Sequence, residues 1–151
     1  MATITSKPGA DYTATVTVNA PIKTAFAAVA TLEGLRGWWT PETAGSAEPG
    51  GKLMFDFPGA GVTTTMMRVE ESTEPSRVRW TCLESGLHEW AGTPITFELA
   101  EAGPDSTAIS FRHGGLNPEL ECFDSCSAGW NHYLGSLASL AETGTGQPYG
   151  S

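Results

Sequence analysis

Two side chains in this 151-residue chain could carry proton chemistry at a protected site. His113 ends the alternating run Ser106 to His113, and its parity puts it on one face with Ile109 and Phe111. An imidazole with an ordinary pKa near ~6.5 can move a proton at neutral pH. Tyr133 lies beside the apolar stripe of a long helix and could donate a hydrogen bond to a ligand carbonyl. Each has a structural alternative, because buried imidazoles and phenols ordinarily pair with a backbone group. Arg112 alternates outward, His132 falls on the flank opposite Trp130, and His88 with Glu89 reads as a solvated pair in a loop.

Cys122 and Cys126 are four apart on the same helix and share a side; with His113 they would offer three zinc ligands. Structural zinc takes four, and these three stand in no familiar spacing. Small buried hydrophobes explain both cysteines better, so no metal is expected. The chain lacks a G-x-S-x-G elbow, a phosphate-binding GxxxxGK and an HExxH pair. Its strand carboxylates form no pair at glycosidase-like separation. Any catalysis would be proton chemistry in a dry site, and no cofactor is expected.

The elements that must position these groups follow from periodicity. Glu119 to Gly144 carries Phe123, Ser127, Trp130, Leu134, Leu137 and Ala141 at helical steps, with Cys126, Tyr133 and Leu140 beside them. Gly144 supplies a left-handed stop. Such a helix would be ~35 Å long and needs a surface to bury its stripe. The earlier chain provides strands: Asp11–Asn19, Lys52–Phe57, Val62–Glu70, Arg77–Leu83, Trp90–Ala100 and Ser106–His113, each bounded by turn residues. Ile22–Leu32 and Leu35–Thr40 read as two short helices after the first strand, broken at Gly34 and Gly37, with Asn19 as a capping residue ahead of Pro21. Residues 1–10 read as a flexible lead-in, and 11–149 as a single domain. Helices grouped at the ends of a strand run indicate α+β.

Composition bounds the partners. Eight Lys and Arg against seventeen Asp and Glu leave a net charge of −9. A polyanion is repelled by such a chain, which argues against nucleic acid and an anionic membrane surface. Three cysteines form no disulfide framework. No secretory leader and no ~20-residue apolar span is seen, so a cytoplasmic protein is expected.

The phrases NAPIKTAFAAVA (19–30), GWW (37–39), GGKLMF (50–55), EWAGTPITFEL (89–99), FRHGGL (111–116) and GWNHYLGSLASLAETGTGQP (129–148) resemble the START-like, helix-grip superfamily. Within it the chain resembles bacterial proteins named for similarity to activators of the ninety-kilodalton heat-shock chaperone ATPase. The resemblance implies a curved antiparallel sheet of about six to seven strands wrapped around the C-terminal helix, with a tapered cavity between them. Strand parity then gives a ligand-facing set: Phe55, Met67, Trp80, Phe97, Phe111 and His113, roofed by Cys126, Trp130 and Tyr133, with Trp38 and Trp39 near the mouth. The first function expected is binding of a hydrophobic or aromatic, lipid- or polyketide-like small molecule. The second is a polyketide cyclase, aromatase or hydrolase-type enzyme using His113 or Tyr133 as acid or base. The third is a co-chaperone-type interaction module whose partner is a chaperone, as monomer or homodimer.

Overall fold

The computed structural model describes residues 3–7, 12–57, 64–84, 90–116 and 123–149. In chain order they form β1 (Thr3–Lys7), β2 (Tyr12–Val18), α1 (Ile22–Ala30), α2 (Leu32–Trp38), β3 (Thr43–Gly45), β4 (Lys52–Phe55), β5 (Thr65–Thr73), β6 (Arg77–Glu84), β7 (Pro94–Gly103), β8 (Ser106–His113) and α3 (Phe123–Thr143). The strands make one sheet in the order β1-β2-β8-β7-β6-β5-β4-β3, antiparallel throughout. Strand β2 joins the far end of the sheet because it pairs with β8 in the register Ala14↔Phe111 and Val16↔Ile109. The sheet stays open, with edges at β1 and β3, and α3 packs on it in a helix-grip α+β fold.

Period-two patterning makes the inner face. Val16, Val18, Leu53, Phe55, Val78, Trp80, Ile95, Phe97, Ile109 and Phe111 are all buried, while the residues between them are exposed or half-buried. Helix α3 covers this face with Trp130, Leu134, Leu137, Ala138 and Ala141. Burying one such large side chain is worth ~1.5–3 kcal/mol, so the sheet–helix contact holds the fold.

The curved antiparallel sheet is the one expected, and both of its edges extend, bringing it to eight strands. Several local expectations are corrected. At one edge, residues 1–10 are not simply a lead-in, since Thr3–Lys7 pairs with Thr13–Thr17 as β1. At the other, the three-residue β3 pairs Ala44 with Met54 and is too short to leave a periodic signal. Gly34 and Gly37 lie inside α2 and do not break it. A Cβ on Gly34 would sit 2.5 Å from the Ala27 carbonyl oxygen, so glycine there lets α2 fold directly against α1. Thr31 separates the two helices: its extended backbone ends α1, and its hydroxyl accepts from the Gly34 N–H at 3.0 Å. Helix α1 starts at Ile22, with Pro21 ahead of it and no side-chain cap, and the Asn19 N–H instead donates to Glu142 Oε2 at 2.8 Å, tying β2 to the end of α3.

Strand β7 starts at Pro94, and Trp90 belongs to the turn ahead of it. Helix α3 stops at Gly144, whose φ is +84° and whose N–H donates to the Leu140 carbonyl at 2.8 Å. The predicted helix start at Glu119, the strand start at Val62, Cys122, and the His88–Glu89 loop lie outside the described residues.

Candidate functional site

His113 is fully buried at the end of β8, and its ring is engaged on both nitrogens. The Thr93 hydroxyl donates to the Trp90 carbonyl at 2.5 Å. It therefore accepts from His113 Nε2–H, 2.8 Å away. Nδ1 carries no proton, because it accepts from the Trp130 indole N–H at 3.1 Å. The network assigns a neutral imidazole in the Nε2–H form. As a base, His113 would first have to release Trp130, so the geometry favours a positioning role for it. Trp90 completes this end of the interior. Its ring meets His113 edge-on at 4.6 Å and stacks on Trp130 at 5.7 Å, and its N–H donates to Cys126 Sγ at 3.3 Å.

From Trp130 a chain of rings runs to the opposite end. Trp130 lies 5.2 Å from Trp39, which contacts Phe55 at 4.2 Å and stacks on Trp38 and Trp80 at 5.8 and 6.1 Å. Phe97 and Phe111 fill the flank, 5.1 Å apart. Trp38 and Trp39 are both buried: Trp38 lies in the core with its indole N–H donating to the Ala28 carbonyl at 2.7 Å, while Trp39 links the core to half-buried Phe57. The residues expected to face a ligand do converge, but they converge on one another. Trp38, Phe55, Met67 and Phe97 have no exposure at all, and Trp80, Phe111 and Trp130 have 1–2%. No water-sized gap touches the first four.

The exception among the expected residues is Tyr133, half-buried on the flank of α3. Burial raises its pKa, and the nearby Tyr149 raises it further, so the hydroxyl stays protonated through neutral pH. It has no hydrogen-bond partner among the described residues. Phe57 and Tyr149, both half-buried, lie at this same end. Phe57 is 5.9 Å from Trp39 and 5.3 Å from Tyr149. A third tyrosine, Tyr12, stands on the inner face of β2 with its hydroxyl donating to Asn131 Oδ1, and burial pushes its pKa up to about 12.

Sequence reasoning missed Thr93, Trp90 as a site residue, and Tyr149. Trp90 and Thr93 sit in a turn, where parity says nothing about direction. Tyr149 lies beyond the helix stop, although Gly144, Gly146 and Pro148 signalled a chain reversal there.

Outside the core, a groove of about 420 Å³ crosses the outer face over β2, β8 and β7, lined by Thr13, Thr15, Thr96, Glu98, Ser110 and Arg112. Glu98 is engaged there by Arg77 at 2.9 Å. Among the described residues no three His, Cys, Asp or Glu side chains cluster as metal ligands, and no helix is long and apolar enough to cross a membrane.

The fold is similar to several solved structures. The Aha1 dimer of Colwellia psychrerythraea superposes with a TM-score of 0.76 at 24% identity, covering 89% of this chain and 97% of that one. Protein BH1534 of Bacillus halodurans gives 0.68 at 24% identity, covering 91% and 99%. DynU16, from the dynemicin biosynthetic locus, gives 0.69 at 22% identity, with 92% of this chain matching 49% of that one. At these identities the likeness carries the fold. No curated protein has a significant sequence match. The family described as Activator of Hsp90 ATPase homolog 1-like protein matches residues 19–142, from the start of α1 through nearly all of α3. The chain belongs to that family.

Proposed function

We propose that the protein binds a flat, largely apolar small molecule between the sheet and α3, at the end where Phe57, Tyr133 and Tyr149 lie near Trp39. The observation that carries this reading is the contrast in burial: the centre of the aromatic core is closed, while these three rings remain half-buried and continuous with it. Small-molecule sites are mostly apolar with a few placed polar groups, and this end supplies the rings of Phe57, Tyr133 and Tyr149, two of them phenols. Tyr133 would orient the guest by donating a hydrogen bond to a carbonyl or ether oxygen. Carriage fits better than catalysis, because the imidazole that could serve as a base has both nitrogens occupied.

Native mass spectrometry of the purified protein, followed by solvent extraction and a thermal-shift screen of flat aromatics and fatty acids, tests the reading. A guest that binds only the folded state stabilises it by ~2.7 kcal/mol at a hundredfold excess over its dissociation constant. A co-purified aromatic or a saturable shift is the expected result. A protein that carries nothing and shifts with no compound across the screen would remove carriage.

A further inference from the structure

We propose that the C-terminal segment is an internal competitor for this site, with Tyr149 standing in for a flat phenolic guest that can bind only when the segment leaves. The proposal rests on the guest-binding reading above and adds the guest's chemical class and its control.

Past Gly144 the chain turns back over the junction of α2 and α3. The Ser139 hydroxyl donates to the Thr145 carbonyl at 2.6 Å, and the Gln147 N–H donates to Ser136 Oγ at 2.6 Å. The Tyr149 N–H donates to the Trp39 carbonyl at 2.8 Å. Gly146 crosses so closely that a Cβ there would lie 2.3 Å from the Gly37 carbonyl oxygen and 3.1 Å from that of Ser136. These contacts aim the Tyr149 ring at Phe57, edge to face at 5.3 Å and 88°. Tyr149 also lies near enough to Tyr133 to raise the Tyr133 pKa.

A phenol is thus already docked on this end of the core, delivered by the chain itself. An incoming phenol recovers what the segment gives up: an edge-to-face contact with Phe57 and a hydroxyl beside Tyr133. An aliphatic guest recovers only the burial. The segment belongs to no strand or helix, and its hydrogen bonds to Ser136, Ser139 and Trp39 are each of modest net strength. It can therefore lift while β2–β8 and α3 stay packed. Apparent affinity is then the intrinsic affinity scaled by the fraction of molecules with the segment open.

The test compares wild type, Tyr149→Ala and Gly146→Val by calorimetric titration with naphthol, using decanol as the non-aromatic comparator. Acrylamide quenching of tryptophan fluorescence without ligand reports uncovering of Trp39, and circular dichroism reports retention of the sheet and α3. Tyr149→Ala removes the competing ring. Gly146→Val dislodges the segment at its tightest crossing. Both should bind naphthol roughly tenfold tighter than wild type, as expected when a mostly closed site is opened. Decanol should gain less, and quenching should rise in both variants. Naphthol binding to wild type that is unchanged or weakened by Tyr149→Ala overturns the competition and leaves guest binding standing. Quenching that rises in both variants while no form binds naphthol overturns the guest-binding reading, and the competition with it.

Discussion

The two ends of the aromatic interior are built from similar residues and differ in how their polar atoms are employed. At one end His113, Trp130, Thr93, Trp90 and Cys126 form a closed series of donors and acceptors. At the other, Phe57, Tyr133 and Tyr149 are half-buried, and the Tyr133 hydroxyl has no partner among the described residues. A buried polar group that is fully paired specifies the core and resists change. One left partly accessible is available to a ligand. The contrast separates a residue type that suggests chemistry from a site able to perform it: the imidazole is the more reactive group in principle, and the phenol is the more available one here.

The comparison is broken most severely at Trp130. Trp130→Ala should cost about 3–5 kcal/mol in a urea titration, because it opens a large void and strips a donor from His113 Nδ1. His113→Ala should cost about 2–4 kcal/mol by the same measurement, since the Trp130 indole N–H is left buried without its acceptor. A His113→Ala protein as stable as wild type would contradict the closed network. Tyr133→Phe should leave stability within about 0.5 kcal/mol, yet weaken an oxygen-bearing guest by about three- to tenfold. Equal losses of stability at His113 and Tyr133 would erase the distinction between the two ends.

Alkaline titration followed by tyrosinate absorbance sharpens the same contrast with the smallest effect. The Tyr12 phenol should ionise only at about 12. Burial raises the folded-state value above the ordinary 10.0. The stabilisation linked to Tyr12 is therefore fully present below about pH 10 and lost as pH rises from there through about 12. Tyr133 is also raised and should ionise above the ordinary range. A Tyr12 that titrates with an unburied phenol would place its ring outside the core.

Much of the frame was legible because burial leaves a period. Alternation in β2, β4, β6, β7 and β8 identified the inner face residue by residue, and the three–four spacing from Trp130 to Ala141 identified the gripping helix. The partners of those residues were not legible. His113 parity says that the ring points inward, but nothing local tells that Thr93 and Trp130 take its two nitrogens from twenty and seventeen residues away. Gly34 and Gly37 read as breakers because propensity treats glycine as a lost side chain, whereas here its absence permits α2 to touch α1 and α3. The expected cavity rested on resemblance, and the rings counted as its lining are buried against one another. Tyr149 escaped notice because a segment after a helix stop carries no period at all.

The most direct test follows the five tryptophan indole N–H signals by NMR while naphthol is titrated in. A guest at the Phe57–Tyr133–Tyr149 end should move the Trp39 signal first and furthest, leaving Trp90 and Trp130 on Cys126 and His113 unmoved. Shifts led by Trp90 and Trp130, or saturating shifts that spare Trp39, would put the guest at the histidine end and contradict the assignment.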